Sequence, residues 1–352
     1  MIYRSSPEKV AKCAGIRYQG KIAMKFAPSN RIPSLDGLRA MSILFVLIGH
    51  LSGRLSGVTA RLSSFGVHVF FVLSGYLITR LLQHEYERAG RIDLVAFYRR
   101  RSFRIFPAAF TYILVVALLF PVSRPALLYA ATYTVSYHLL STPDLFLHLW
   151  SLSVEEQFYL LWPLALLLGF ARRAWVAWFA MLLAAMFRLA VGLSSTHYSN
   201  AYLHYSFPGT MDSIAAGCLL AIYAPQIRER WAWMAESNAI VIAIPVTAWT
   251  LDAVCWDGGG SVFWGAVPIL VALWVFLLIE RQDWVLNNPV ASAIGVLSYS
   301  LYLWQQPFTV AHKHRTVVAL LMLTGCAVAS YLLVEKPMLK LGASIKSRKL
   351  GT

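Results

Sequence analysis

The sequence predicts an all-α protein, a polytopic transmembrane helical bundle of about ten crossings with both termini cytoplasmic. Three observations carry that expectation. Of 352 residues, 58% are hydrophobic and only 13% charged, against roughly 25% charged in soluble domains. Apolar stretches of crossing length, roughly 20 residues for about 30 Å of hydrocarbon, recur along the whole chain. Lys and Arg outnumber Asp and Glu by 31 to 16, and the excess collects in alternate loops, as cations do on the cytoplasmic side. In a soluble chain that excess would point to nucleic acid. Here, beside twelve Trp and seventeen Tyr, it fits interfacial aromatics and basic cytoplasmic loops, so membrane lipids and not nucleic acid are the expected surroundings. Disorder, collagen and a small disulfide scaffold are excluded. Cys13, Cys218, Cys255 and Cys326 are too scattered to suggest a zinc site or a disulfide framework, and no metal is expected.

In chain order the expected crossings are 36–52, 65–82, 104–121, 149–169, 175–193, 210–224, 239–256, 261–279, 290–309 and 317–334. The stretch 125–140 is also apolar, but Tyr129, Thr132, Tyr133, Thr134, Ser136, Tyr137 and His138 suit it to an interface and not to lipid. Charge supports that reading. With ten crossings the inner side holds the N-terminal tail, Arg39, the 80–104 loop, Arg172, Arg173, Arg228, Arg230, Arg281 and the C-terminal end, leaving Arg54, Arg61, Arg124, Arg188, Lys313 and Arg315 outside. An eleventh crossing at 125–140 would put Arg172 and Arg173 outside and invert all that follows. The organisation expected is a basic cytoplasmic tail, 1–30, a membrane domain, 31–340, and a second basic tail, 341–352. The first tail lacks the apolar core of a secretory signal, and Met24 is a second candidate start.

Ionisable groups inside crossings are costly and point to function. His50 ends the first crossing in SILFVLIGH, and a neutral imidazole there suits general-base work; a satisfied helix-end histidine is the alternative. Glu155 and Glu156 sit early in the fourth crossing, with Ser151, Glu155 and Tyr159 on one stripe at four-residue spacing. Those acids either serve a wet cavity or pair with a buried cation such as Arg188 and fix packing. Arg99, Arg100, Arg101 and Arg104 open the third crossing; helical spacing stacks Arg100 and Arg101 with Arg104, and planar guanidinium forks suit phosphate. A topology signal or an anionic-lipid contact is the alternative. Ser74, in SFGVHVFFVLSGYLIT, is a candidate nucleophile that needs a base, or a small packing residue.

Six segments, PSLDGLRAMSILFVLIGH, FFVLSGYLIT, FYRRRSFRIFP, HLWSLSVEEQFYLLWP, GVLSYSLYLWQQP and SYLLVEKP, occur in an order that resembles the integral-membrane acyltransferase family 3, the O-acyltransferases of bacterial surface glycans. The likeness runs from about residue 33 to 340. It implies transfer of an acyl group, most often acetyl, from cytoplasmic acyl-CoA to a hydroxyl on an extracytoplasmic glycan or glycolipid, in the bacterial inner membrane. It matches His50 to the family's essential histidine, Arg101 and Arg104 to its paired donor-binding arginines, Glu155 and Glu156 to its acidic pair, and Asp36 and Arg39 to its opening LDGLR. Two positions depart: Gln305 stands where the family often has His, and Thr210 and Met211 precede Asp212 where an Arg is frequent. With no further domain expected after the bundle, acceptor recognition would lie in the membrane unit.

These readings combine into one mechanism. Arg100, Arg101 and Arg104 grip the nucleotide phosphates of acyl-CoA, most simply acetyl-CoA. A polar tunnel leads inward to His50, which deprotonates the acceptor hydroxyl, with Glu155 or Glu156 orienting the imidazole. A covalent acyl-enzyme on His50 or Ser74 is the variant. The rival is a transporter or flippase of a lipid-linked sugar or acyl donor, whose buried charges would line a path; no duplicated halves support it. A scaffold would leave the buried His and Glu without a purpose. Oligomeric state is not legible.

Overall fold

The computed structural model describes residues 33–51, 57–167, 169–193, 204–256, 265–281, 283–311 and 316–348. The N-terminal basic tail, with Cys13 and Met24, lies outside the described residues. Within them the chain is helix and turn without a strand. Ten longer helices coincide with the ten expected crossings: α1 (Pro33–Leu51), α2 (Gly57–Ala89), α3 (Leu94–Leu119), α6 (Leu149–Leu167), α7 (Arg173–Leu193), α8 (Phe207–Trp231), α9 (Asn238–Trp256), α10 (Ala266–Arg281), α12 (Pro289–Ala311) and α13 (Thr316–Ser330). Short helices α4 (Arg124–Ala131), α5 (Asp144–Leu147) and α11 (Trp284–Asn287) join them, and α14 (Lys336–Arg348) ends the described chain.

Six stretches among the described residues are long and apolar enough to cross a membrane: Ser34–Leu51, Arg61–Ala89, Leu94–Leu119, Phe170–Val191, Phe207–Glu236 and Val317–Ile345. The other four expected crossings are helices that are more polar or shorter. Helix α6 carries Glu155, Glu156 and Gln157, α12 carries Ser298, Ser300, Gln305 and Gln306, the apolar part of α9 is Asn238–Val254, and α10 has only 16 residues. Burial sorts the six. The windows in Phe207–Glu236 and Arg61–Ala89 are 78% and 72% buried, those in Phe170–Val191 and Val317–Ile345 only 17% and 22%. Helices α2 and α8 therefore form the interior. Helices α7 and α13 form the rim, where Trp175, Phe179, Leu182, Met186, Val317 and Leu321 are exposed, as suits side chains facing lipid.

Glycine sets how closely the interior helices approach. A Cβ on Gly75 would stand 2.0 Å from the Ile214 carbonyl oxygen, and one on Gly217 would stand 2.0 Å from that of Val72. Helices α2 and α8 thus meet backbone to backbone through two reciprocal glycines, as small residues permit in membranes.

The segment 125–140 does not form a spanning helix. Helix α4 ends at Ala131, where Tyr133 takes a left-handed φ of 55°. The Thr134 N–H then reaches back to the Tyr129 carbonyl at 3.0 Å, the closure that ends helices in a left-handed residue. Two single 3-10 turns follow, Val135–Tyr137 and Leu139–Ser141.

At the other end, α13 runs through a π turn, Tyr331–Glu335, straight into α14. Such a turn adds a residue to the helix and re-aims the side chains around it. Glu335 is buried and accepts a short hydrogen bond from the Ser300 hydroxyl on α12. The boundary expected at 340/341 falls inside α14, whose Gly342 packs on Phe103 of α3, so the second basic tail is helical through Arg348. Cys218 and Cys326 are free thiols.

Candidate active site

His50 lies one residue from the end of α1. Its Nδ1 is 2.8 Å from the Val46 carbonyl oxygen one turn back. A carbonyl only accepts, so Nδ1 carries the hydrogen and the lone pair of the neutral ring sits on Nε2. Ser63 Oγ on α2 is 3.2 Å from the same Nδ1. That approach depends on Gly49, where a Cβ would stand 2.5 Å from Ser63 Cβ and 2.7 Å from its backbone nitrogen. His50 thus enters its cavity as an oriented imidazole with a defined basic nitrogen. The cavity has a volume of about 370 Å³ and is bounded by the end of α1, the start of α2, the start of α6 and the start of α8.

Its walls hold groups the sequence reading left aside. Arg188 of α7 donates to Asp212 Oδ2 at 2.6 Å and to the Gly209 carbonyl at 2.8 Å, with both charged side chains at most 3% exposed. Asp212 Oδ1 accepts the Ser213 N–H at 2.9 Å. Arg188 therefore pairs with Asp212 and not with the acids of α6. His68 of α2 bridges two further helices, with Nδ1 2.8 Å from Ser213 Oγ on α8 and Nε2 3.5 Å from Asp252 Oδ1 on α9. The rarity of intramembrane acids, applied to Glu155, applies equally to Asp212 and Asp252 and could have found them. Gln306 and Trp150 complete that wall. Gln305 is fully buried, and neither of its amide atoms has a hydrogen-bond partner among the described residues.

A second, smaller cavity of about 80 Å³ lies in the other half of the bundle, lined by Arg39, Ser74, Arg101, Arg104, Glu155 and Tyr159 among others. Arg39 and His50 are separated by about 16 Å along α1 at 1.5 Å per residue. Ser74 donates to Glu155 Oε1 at 2.5 Å and lies 3.1 Å from the Tyr159 hydroxyl. The Arg101 guanidinium stacks 4.9 Å from the centre of the Tyr159 ring. The expected stripe of Ser151, Glu155 and Tyr159 faces this cavity. Three guanidinium groups against one carboxylate leave it an excess of positive charge, and among the described residues none of the three forms a salt bridge.

The remaining candidates lie as follows. Arg100 does not line the cavity with Arg101 and Arg104; it turns to Glu85 at 3.1 Å, whose other oxygen accepts the Asp93 N–H at 2.8 Å. That arrangement closes the α2–α3 hairpin. Glu155 lines the other cavity from His50, where its carboxylate accepts a hydrogen bond from Ser74. Glu156 lines neither cavity, and its Oε1 has no hydrogen-bond partner among the described residues. Ser74 has a carboxylate, not an imidazole, as hydrogen-bond acceptor. Asp36 lies in the first turn of α1, where a negative charge suits the helix N-terminus, and it too lines neither cavity. Val67, Phe71 and Tyr302 line both cavities, which adjoin at these three side chains. Among the described residues no three His, Cys, Asp or Glu side chains gather as metal ligands.

Comparison with known proteins agrees with the motifs. The chain is 29% identical to the O-acetyltransferase OatA of Staphylococcus aureus strains NCTC 8325, COL and MRSA252, over 88% of this chain and 58% of each relative. It thus spans little more than half the length of the curated relatives it matches. No solved structure matches it. The family model described as an acyltransferase domain covers residues 32–334, a span that contains α1 to α13 and both cavities. The chain therefore belongs to acyltransferase family 3.

Proposed function

We propose that the protein is a multi-pass membrane O-acyltransferase, carrying an acyl group, acetyl in the simplest case, from acyl-CoA to a hydroxyl of a glycan or glycolipid on the far side of a bacterial inner membrane. The ten long helices all cross, and both termini are cytoplasmic. The observation that carries the reading is the His50 imidazole, fixed through Nδ1–H on the Val46 carbonyl so that Nε2 is the basic nitrogen of the larger cavity. Family membership and the likeness to OatA support it.

Arg39, Arg101 and Arg104 take the phosphates of CoA at the cytoplasmic mouth, where several guanidinium groups match several phosphate oxygens. Glu155, with Ser74 and Tyr159, keeps Arg101 and Arg39 from mutual repulsion while the donor is absent. The uncharged pantetheine arm reaches inward through the narrow cavity and presents the thioester where the two cavities adjoin. In the larger cavity His50 Nε2 takes the proton of the acceptor hydroxyl as its oxygen attacks the thioester carbonyl. The C–S bond breaks, the ester forms, and the proton passes from His50 to the departing thiolate, releasing CoA as the thiol.

The test is transfer of radiolabelled acetyl from acetyl-CoA to lipid-linked or wall glycan in membranes holding the protein. Wild type labels glycan, and His50→Ala lowers the rate by about 10²- to 10⁴-fold, the span of a lost general base. Full activity in His50→Ala, or sugar flux in proteoliposomes with no acyl transfer, contradicts the reading.

A further inference from the structure

Three residues line both cavities: Val67 and Phe71 on α2 and Tyr302 on α12. We propose that these three side chains set the length of acyl group the protein accepts, because they are the surface common to both cavities, where the thioester must meet the acceptor. The inference rests on the acyl-transfer reading above and deepens it.

The shared surface is closely packed. Val67 and Phe71 stand one helical turn apart on the same face of α2, and they are 6% and 1% exposed. Val67 is β-branched, so its rotamer is restricted. The Phe71 ring is held edge-on by Trp150, centroids 5.8 Å apart at 87°. Tyr302 is latched at its far end. Its hydroxyl donates to the His148 carbonyl at 2.8 Å, and Ser151 Oγ, 2.6 Å away, donates to the Tyr302 oxygen. Phe70 abuts the Tyr302 ring edge-on at 6.4 Å.

A donor held by the arginines on one side and a hydroxyl activated by His50 on the other meet only here. The acyl carbon chain, projecting past the thioester, must fit against Val67, Phe71 and Tyr302. A small acyl group clears that surface, and a longer one collides with side chains held by these contacts. One methylene in an apolar pocket discriminates by roughly 10- to 200-fold, so trimming the shared surface shifts preference on that scale.

The experiment measures kcat/KM for acetyl-, propionyl- and butyryl-CoA in wild-type, Val67→Ala, Phe71→Leu and Val67→Ile proteins, with glycan labelling as readout. Wild type prefers acetyl. Val67→Ala and Phe71→Leu raise the butyryl-to-acetyl ratio at least tenfold, while Val67→Ile, which adds a methylene, lowers the propionyl-to-acetyl ratio. Because a ratio is read within each variant, partial misfolding lowers both terms and leaves it intact. Should Val67→Ala and Phe71→Leu be inactive, Val67→Ile still decides. Unchanged ratios in active variants overturn this inference alone; absence of transfer by wild type from every donor overturns the acyl-transfer reading beneath it.

Discussion

The orientation of His50 comes from a backbone carbonyl one turn away, with no acid involved. That explains why the residue was legible from its position and its partners were not. An imidazole near the end of an apolar crossing is conspicuous by cost alone, whereas Ser63 and Val46 reach it through a helix approach that depends on a hydrogen side chain at Gly49. The arginines divide in the same way. Spacing alone groups Arg100 with Arg104, but the structure gives Arg100 to Glu85 and leaves Arg101 and Arg104 with Arg39. Arg101→Gln is therefore expected to raise KM for acyl-CoA by about tenfold or more, since each lost charge-assisted contact is worth about 1.5–3 kcal/mol. Arg100→Gln is expected to stay within about threefold, because a half-exposed pair contributes about 0–1 kcal/mol. Steady-state kinetics with donor varied at saturating acceptor separates the two.

Helices were the most legible level, because hydropathy over some 20 residues is set by lipid and not by neighbours. Each expected crossing falls on a helix, and 125–140 breaks at Tyr133. What hydropathy could not supply was which helix faces which, since a stripe of polar residues names no partner. The partners of Ser74, His68 and Arg188 lie 81, 145 and 24 residues away. The α2–α8 contact through Gly75 and Gly217 yields a stability prediction. Gly217→Val forces side-chain atoms onto the Val72 carbonyl and drives the helices apart, lowering the detergent-solubilised melting temperature and flattening the cavity walls. Gly265→Ala, where a Cβ meets nothing within 4 Å, leaves melting unchanged. Asp212→Asn removes the carboxylate paired with the buried Arg188, a loss of about 3–5 kcal/mol, and melts earlier than wild type in the same assay.

Across the whole molecule, the two cavities separate two kinds of group: three guanidinium groups on the early turns of α1 and α3 line one, and the His50 imidazole at the end of α1 lines the other; the proposed function assigns the donor to the first and the acceptor to the second. The expectation of a continuous polar tunnel came from charge placement, which fixes where cations and imidazoles sit along each helix. It could not name Val67, Phe71 and Tyr302 as the side chains at which the two cavities adjoin, because that depends on how the helices pack and not on where charges fall along each one. In the proposed mechanism donor and acceptor enter from opposite faces and meet where the two cavities adjoin, which makes the transfer vectorial. The most direct test supplies labelled acetyl-CoA to one face only of sealed vesicles with the acceptor glycan confined to the other. Labelling is predicted only when the donor is on the face that carries Arg101 and Arg104 and the glycan on the face nearer His50. Labelling with both substrates on a single face and none opposite contradicts the account.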